Sequence, residues 1–128
     1  MACVKRKLIM QNRVACRVRH EIGMYTVYVS DKHGEDVEKE YLVGVFNTDQ
    51  LACGYAARFY KTDGLRNQIL LLYAKEQPII LALDLIAKTF KDHKHDDIMF
   101  CLHHFWFFRT GLSFGLTEEG LAAYKRYS

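Results

Sequence analysis

Asp92–Ser128, DHKHDDIMFCLHHFWFFRTGLSFGLTEEGLAAYKRYS, decides how the chain is read, because structural and chemical signals crowd together there. It holds four of the six histidines, the only tryptophan and the most hydrophobic run of the protein. Asp96 or Asp97 is placed to cap a helix running to about Phe108, and Gly111 to break it. Leu112–Leu116 then reads as a short extended segment, hardly long enough for a hairpin. Thr117 caps a last helix, with Glu118 and Glu119 in its first turn and Lys125 and Arg126 in its last, as the helix dipole favours. Gly120 inside that helix is a local penalty.

Working outward, Leu83, Ile86 and Phe90 recur with Ile79 at helical spacing, predicting an amphipathic helix over 79–90. Pro78 should end or kink the segment before it, which runs over 65–77 with Leu65, Ile69 and Leu72 on one stripe. A further helix is expected from Thr48 or Asp49 to about Tyr60, with Leu51, Tyr55 and Phe59 inward and Gly64 as the break. The first half reads as strands. Residues 13–20 alternate Val14, Cys16 and Val18 against Arg13, Arg17 and Arg19, and residues 24–30 are β-branched and aromatic. Residues 37–46 return as a third strand, with Tyr41, Val43 and Val45 on one side. A fourth strand near 4–10 completes the expectation. The fold class is therefore α+β: a three- to four-stranded antiparallel meander followed by four to five helices packed on one face. A chain of 128 residues that is 50% hydrophobic fits one domain, β-rich over 1–47 and α-rich over 48–128.

Charge is unevenly spread. Residues 1–20 carry six basic residues and no acid, whereas residues 21–50 carry a net charge of −5. Cross-strand pairing within one sheet accounts for such a pattern. The functional alternative is a nucleic-acid contact made by Lys5, Arg6, Lys7, Arg13, Arg17 and Arg19. Cys3, Cys16, Cys53 and Cys101 are scattered without a CxxC pair, as expected of reduced thiols in the cytoplasm. The N-terminus lacks the apolar core of a secretory signal, and the run at 98–108 is too short to span a membrane, so no membrane association is expected.

Chemistry is sparsely signalled. No serine stands in a GxSxG elbow and no glycine-rich phosphate loop occurs. An enzyme is not expected, and no catalytic residue or cofactor is assigned. His93, His95, Asp97 and His104 have suitable ligand chemistry for a small metal site, and Asp97 and His104 are seven residues apart on one helical face. They lack the HExxH spacing, and a solvated loop with one core histidine accounts for the same residues. Phe105, Trp106, Phe107 and Phe108 cannot all lie on one helical face. They either form core or leave an aromatic patch for a second protein.

LALDLIAKTF, DDIMFCLHHFWFFRTGL and FGLTEEGLAAYKR together resemble the C-terminal half of a winged helix-turn-helix domain over residues 79–128. The resemblance makes Leu83, Ile86 and Ala87 the core of the first helix, and Ile98, Leu102 and Phe105 that of the recognition helix. Gly111-Leu112 forms the turn and Leu116-Thr117-Glu118-Glu119-Gly120 the start of the final helix. It implies a regulator. The recognition segment has no Lys or Arg from Asp96 to Phe108, and Asp96 and Asp97 at its start would repel phosphates. Such a module is better suited to dimerisation or protein binding. The expected function is thus a small cytoplasmic binding or regulatory module acting on another protein or on itself as a homodimer. A nucleic-acid-binding regulator and a small metal-binding protein are the alternatives.

Overall fold

A computed structural model describes residues 14–31, 40–73 and 80–127. The chain divides into two compact units, 1–63 and 64–128. The expected strand near 4–10, together with Lys5, Arg6, Lys7 and Arg13, Cys3, the loop before residue 40 and Pro78, lies outside the described residues.

In the first unit, β1 (Val14–Glu21), β2 (Met24–Asp31) and β3 (Glu40–Phe46) form an antiparallel meander in that order. Ile22 and Gly23 make the two-residue connection with φ of 49° and 74°, and Glu21 pairs with Met24 across it. Right-handed strand twist selects this kind of turn. Helix α1 (Asp49–Lys61) follows, and Thr48 caps it by accepting the Leu51 N–H at 3.2 Å. The inward stripe is Ala52, Tyr55 and Phe59 rather than Leu51, Tyr55 and Phe59, since Leu51 is exposed and Ala52 fully buried. The hydroxyl of Tyr60 ties α1 to β1, accepting the Cys16 N–H at 2.7 Å and donating to its carbonyl at 3.2 Å. Val27 and Val29 face α1 and are fully buried.

Expected and observed strands differ at Val43. Val27 pairs with Gly44 but Tyr28 with Leu42, so Val43 is an extra residue in β3. A bulge of this kind reverses the alternation beyond it. Tyr41 and Gly44 therefore share the α1 side, and Val45 is turned out and half exposed.

Helix α2 (Asp63–Leu72) starts directly after α1, and from Gly64 on it belongs to the second unit. The break falls at Thr62, the C-cap of α1, and Gly64 lies inside α2. The next element is a strand, β4 (Ile80–Ala82), where a helix over 79–90 was expected; only Leu83–Thr89 is helical, as α3. Helix α4 spans His95–Leu102 and stops six residues short of Phe108. Phe107–Thr110 becomes β5, which turns at Gly111-Leu112 into β6 (Ser113–Leu116). The final helix α5 (Glu118–Tyr127) starts as expected, with the Thr117 hydroxyl accepting the Gly120 N–H at 3.0 Å. The second half is thus no simple helical bundle. It contains a three-stranded antiparallel sheet in the order β4-β6-β5, in which Ile80 pairs with Gly115 and Gly115 with Phe108.

Strand formation at these sites has a common cause. Aromatic and β-branched side chains fit a half-buried pleated surface, and pairing satisfies the backbone. Four consecutive aromatics on a helix would leave some exposed on every side. The turn-and-strand path instead buries Trp106 and Phe107 and turns only Phe108 outward. The protein is mixed α+β. No helix among the described residues is long and apolar enough to cross a membrane.

Candidate functional site

The aromatic run is divided by the start of β5. Trp106 is wholly buried in the turn, and its backbone N–H donates to Nδ1 of the buried His104 at 3.2 Å. The His104 ring lies 4.2 Å from that of Phe105 and 4.5 Å from that of Trp106. Burial, with the Arg66 charge second, holds the His104 pKa well below its usual value, so the ring is neutral and Nδ1 is free to accept. Phe107 packs on Tyr73, whose hydroxyl donates to the Phe114 carbonyl at 2.9 Å. Trp106 and Phe107 belong to the core.

Phe108 is 42% exposed and stands on the outer face of the second sheet with Ile80. Gly115 lies between them in the cross-strand row. A β-carbon there would come within 2.6 Å of Phe108 Cζ and 3.1 Å of Ile80 Cγ1. The missing side chain lets the Phe108 ring lie flat across the strand. At the hairpin tip, Leu112 is 77% exposed. Arg109 braces that tip by donating from Nε to the Gly111 carbonyl at 3.0 Å. The second unit thus has an apolar row, Ile80–Gly115–Phe108, and an apolar tip, Leu112. Of the four aromatics expected at an interface, only Phe108 reaches the surface to this extent; Phe105 is half-buried.

The candidate metal ligands are not assembled. Among the described residues, no three His, Cys, Asp or Glu side chains are grouped to hold a metal ion. His93 and His95 are exposed in and just after the α3–α4 connection, whereas His104 is in the core. The ring of His93 packs edge-on to Phe90. Helix α4 begins at His95 and ends at Leu102, so Asp97 and His104 do not share one helical face. Cys16, Cys53 and Cys101 are not in disulfides. The Cys53 thiol is pushed up by desolvation, then by its hydrogen bond to Asp49, which keeps it protonated.

Of the basic candidates, Arg17 and Arg19 are described. Both project from the face of the first sheet opposite α1, where the pairing places Arg17, Tyr28 and Leu42 in one row and Arg19, Thr26 and Val45 in the next. Both turn to Glu40. Arg17 reaches Oε2 from Nε at 3.1 Å and from Nη2 at 2.5 Å, and Arg19 reaches Oε1 at 2.5 Å. Arg19 also lies over the Tyr28 ring, 4.6 Å from its centroid. Glu21 accepts hydrogen bonds from the hydroxyls of Tyr28 (2.8 Å) and Thr26 (2.9 Å), which lower its pKa.

Neither Ile80 nor Leu112 stood out in the sequence, because isolated surface hydrophobics are common and only strand pairing assembles them. Glu40 could have been suspected from the acidic composition of residues 21–50. Its two partners depend on register. In comparisons with known proteins, no family model matches the sequence, and no curated protein or solved structure matches it.

Proposed function

We propose that the chain is a non-enzymatic binding module whose second unit has the winged helix-turn-helix arrangement and acts through protein–protein contact, first of all with a second copy. The observation that carries this reading is the apolar row Ile80–Gly115–Phe108 with Leu112 beyond it. An apolar row, with an exposed leucine at the tip of the same hairpin, suits burial against a protein, where aromatic and aliphatic anchors supply most of the contact energy. The helix–strand–helix–helix–hairpin–helix order and the β4-β6-β5 sheet support the winged-helix comparison. In that arrangement α4 is the recognition helix and β5–β6 the wing. The exposed His95 and Asp96 of α4, with no Lys or Arg in the helix, favour a protein over DNA as its target. Cysteines outside disulfides at 16, 53 and 101 support a cytoplasmic setting.

Sedimentation over a range of concentrations tests the homodimer. The wild type is expected to self-associate reversibly, and Phe108→Ser with Leu112→Ser to remain monomeric with the same fold. A wild type that stays monomeric throughout rejects the second copy as partner.

Nucleic-acid binding is the second reading. It is favoured by the six basic residues of 1–20 and the outward placement of Arg17 and Arg19.

A further inference from the structure

Two guanidinium groups converging on one carboxylate form an anion cradle that already holds an anion. Arg17 and Arg19 lie in different rows of β1, and Glu40 is opposite Ser30 on β2, one row beyond Arg17. Both arginines therefore lean along the sheet toward the same point instead of extending to solvent. Arg19 is steered there by the Tyr28 ring, and the Tyr28 hydroxyl is anchored in turn on Glu21. The Glu40 side chain is 14% exposed, whereas Arg17 and Arg19 are 59% and 38% exposed. The bound carboxylate is thus covered by its two partners, which keep much of their own surface in water. Arg17, Arg19 and Glu40 together carry one uncompensated positive charge. Glu21, which also feels the Arg19 charge, is engaged with the Thr26 and Tyr28 hydroxyls.

We propose that the Arg17–Arg19 fork on the open face of the first sheet is a binding site for backbone phosphates of a nucleic acid, and that Glu40 occupies it as an internal competitor. Guanidinium forks match carboxylate and phosphate oxygens alike. Ion pairs with this much water around them contribute little net stability, so a polyanion touching several cations at once can displace Glu40. The six basic residues in 1–20, without an acid among them, favour a polymer of phosphates over a single one. The assignment rests on the nucleic-acid reading above and, lying in the first unit, does not depend on the protein contact proposed for the second.

Binding of a fluorescent duplex oligonucleotide, titrated at several salt concentrations, tests the assignment on the full chain. Removing the competitor in Glu40→Gln is expected to tighten binding roughly tenfold and to steepen the log–log salt dependence by about 1, for the one further positive charge uncovered. Adding Arg17→Gln and Arg19→Gln should abolish that gain. Glu40→Asp, with its shorter reach, serves the same comparison should the amide disturb the sheet, which circular dichroism would report. Inorganic phosphate alone should compete only weakly. Equal affinity of wild type and Glu40→Gln, or a gain that survives loss of both arginines, overturns the proposal. A gain equally large for inorganic phosphate overturns the nucleic-acid assignment.

Discussion

Gly120 of α5 lies so close to Trp106 that a β-carbon on it would overlap the Trp106 carbonyl oxygen. That same oxygen accepts the Thr117 N–H at 2.9 Å, and the Thr117 hydroxyl donates to the Phe105 carbonyl at 2.7 Å. The start of the last helix is thereby fastened to the turn carrying the buried tryptophan. A glycine that is a penalty by helix propensity is required here by packing.

Alanine at Gly120 should accordingly lower stability by about 2 kcal/mol, overpacking outweighing the propensity gain. Gly54 in α1 supplies the opposite case, since nothing lies within 4 Å of a β-carbon there. Gly54→Ala should raise stability by about 1 kcal/mol. Urea unfolding of both variants checks the pair. Equal signs would mean that the Trp106 contact does not govern position 120.

Ile22 is a fully exposed β-branched residue at a φ of 49°. The left-handed region costs such a residue about 1–2 kcal/mol, and Asn-Gly is the preferred dipeptide for this turn. Ile22→Asn is expected to raise the thermal midpoint by several degrees, equivalent to roughly 1 kcal/mol. A lower midpoint would show that Ile22 has contacts outweighing the strain.

His104 makes stability depend on pH. Its folded pKa is held below the ordinary value of 6.5 by burial and then by Arg66. Between the two pKa values the unfolded chain binds a proton that the folded chain does not, so stability falls as pH drops below about 6.5. Protonation would also cost Nδ1 its acceptor role toward the Trp106 N–H. The slope from this residue is up to about 1.4 kcal/mol per pH unit. His104→Asn, which retains an acceptor, should flatten the profile between pH 6.5 and 5 (roughly that window). An unchanged profile would assign the dependence to other groups.

Phe107 and Phe108 are neighbours with opposite roles. Phe107→Ala should lower stability by about 3–5 kcal/mol, as a large buried ring does, and Phe108→Ala by about 1 kcal/mol. Denaturant unfolding distinguishes them, and similar losses would contradict the outward placement of Phe108.

Much of the architecture was legible locally. The alternation in β1, the β-branched run in β2 and the capping threonines at positions 48 and 117 each use information from a few adjacent residues. The grouping of the candidate metal ligands depended on local pattern in the same way. Their clustering in sequence presumed one helix through His104, whereas α4 ends at Leu102 and His104 turns into the core. Of the four aromatics at 105–108, Phe108 alone is exposed on the sheet face, since facing depends on where a strand begins.

By itself, the sequence determined the α+β class, the first hairpin, the capped ends of α1 and α5 and the charge imbalance, all consequences of short-range propensity and composition. Tertiary structure decided what became of the apolar segments that suit helix and strand equally. Ile80–Ala82 became a strand because β6, more than thirty residues later, offers its backbone to both β4 and β5. It also placed Gly120 against Trp106, displaced Val45 through the bulge at Val43 and brought Arg17 and Arg19 to Glu40. Each of these is a pairing between distant residues, governed by register and close approach, to which local pattern is blind.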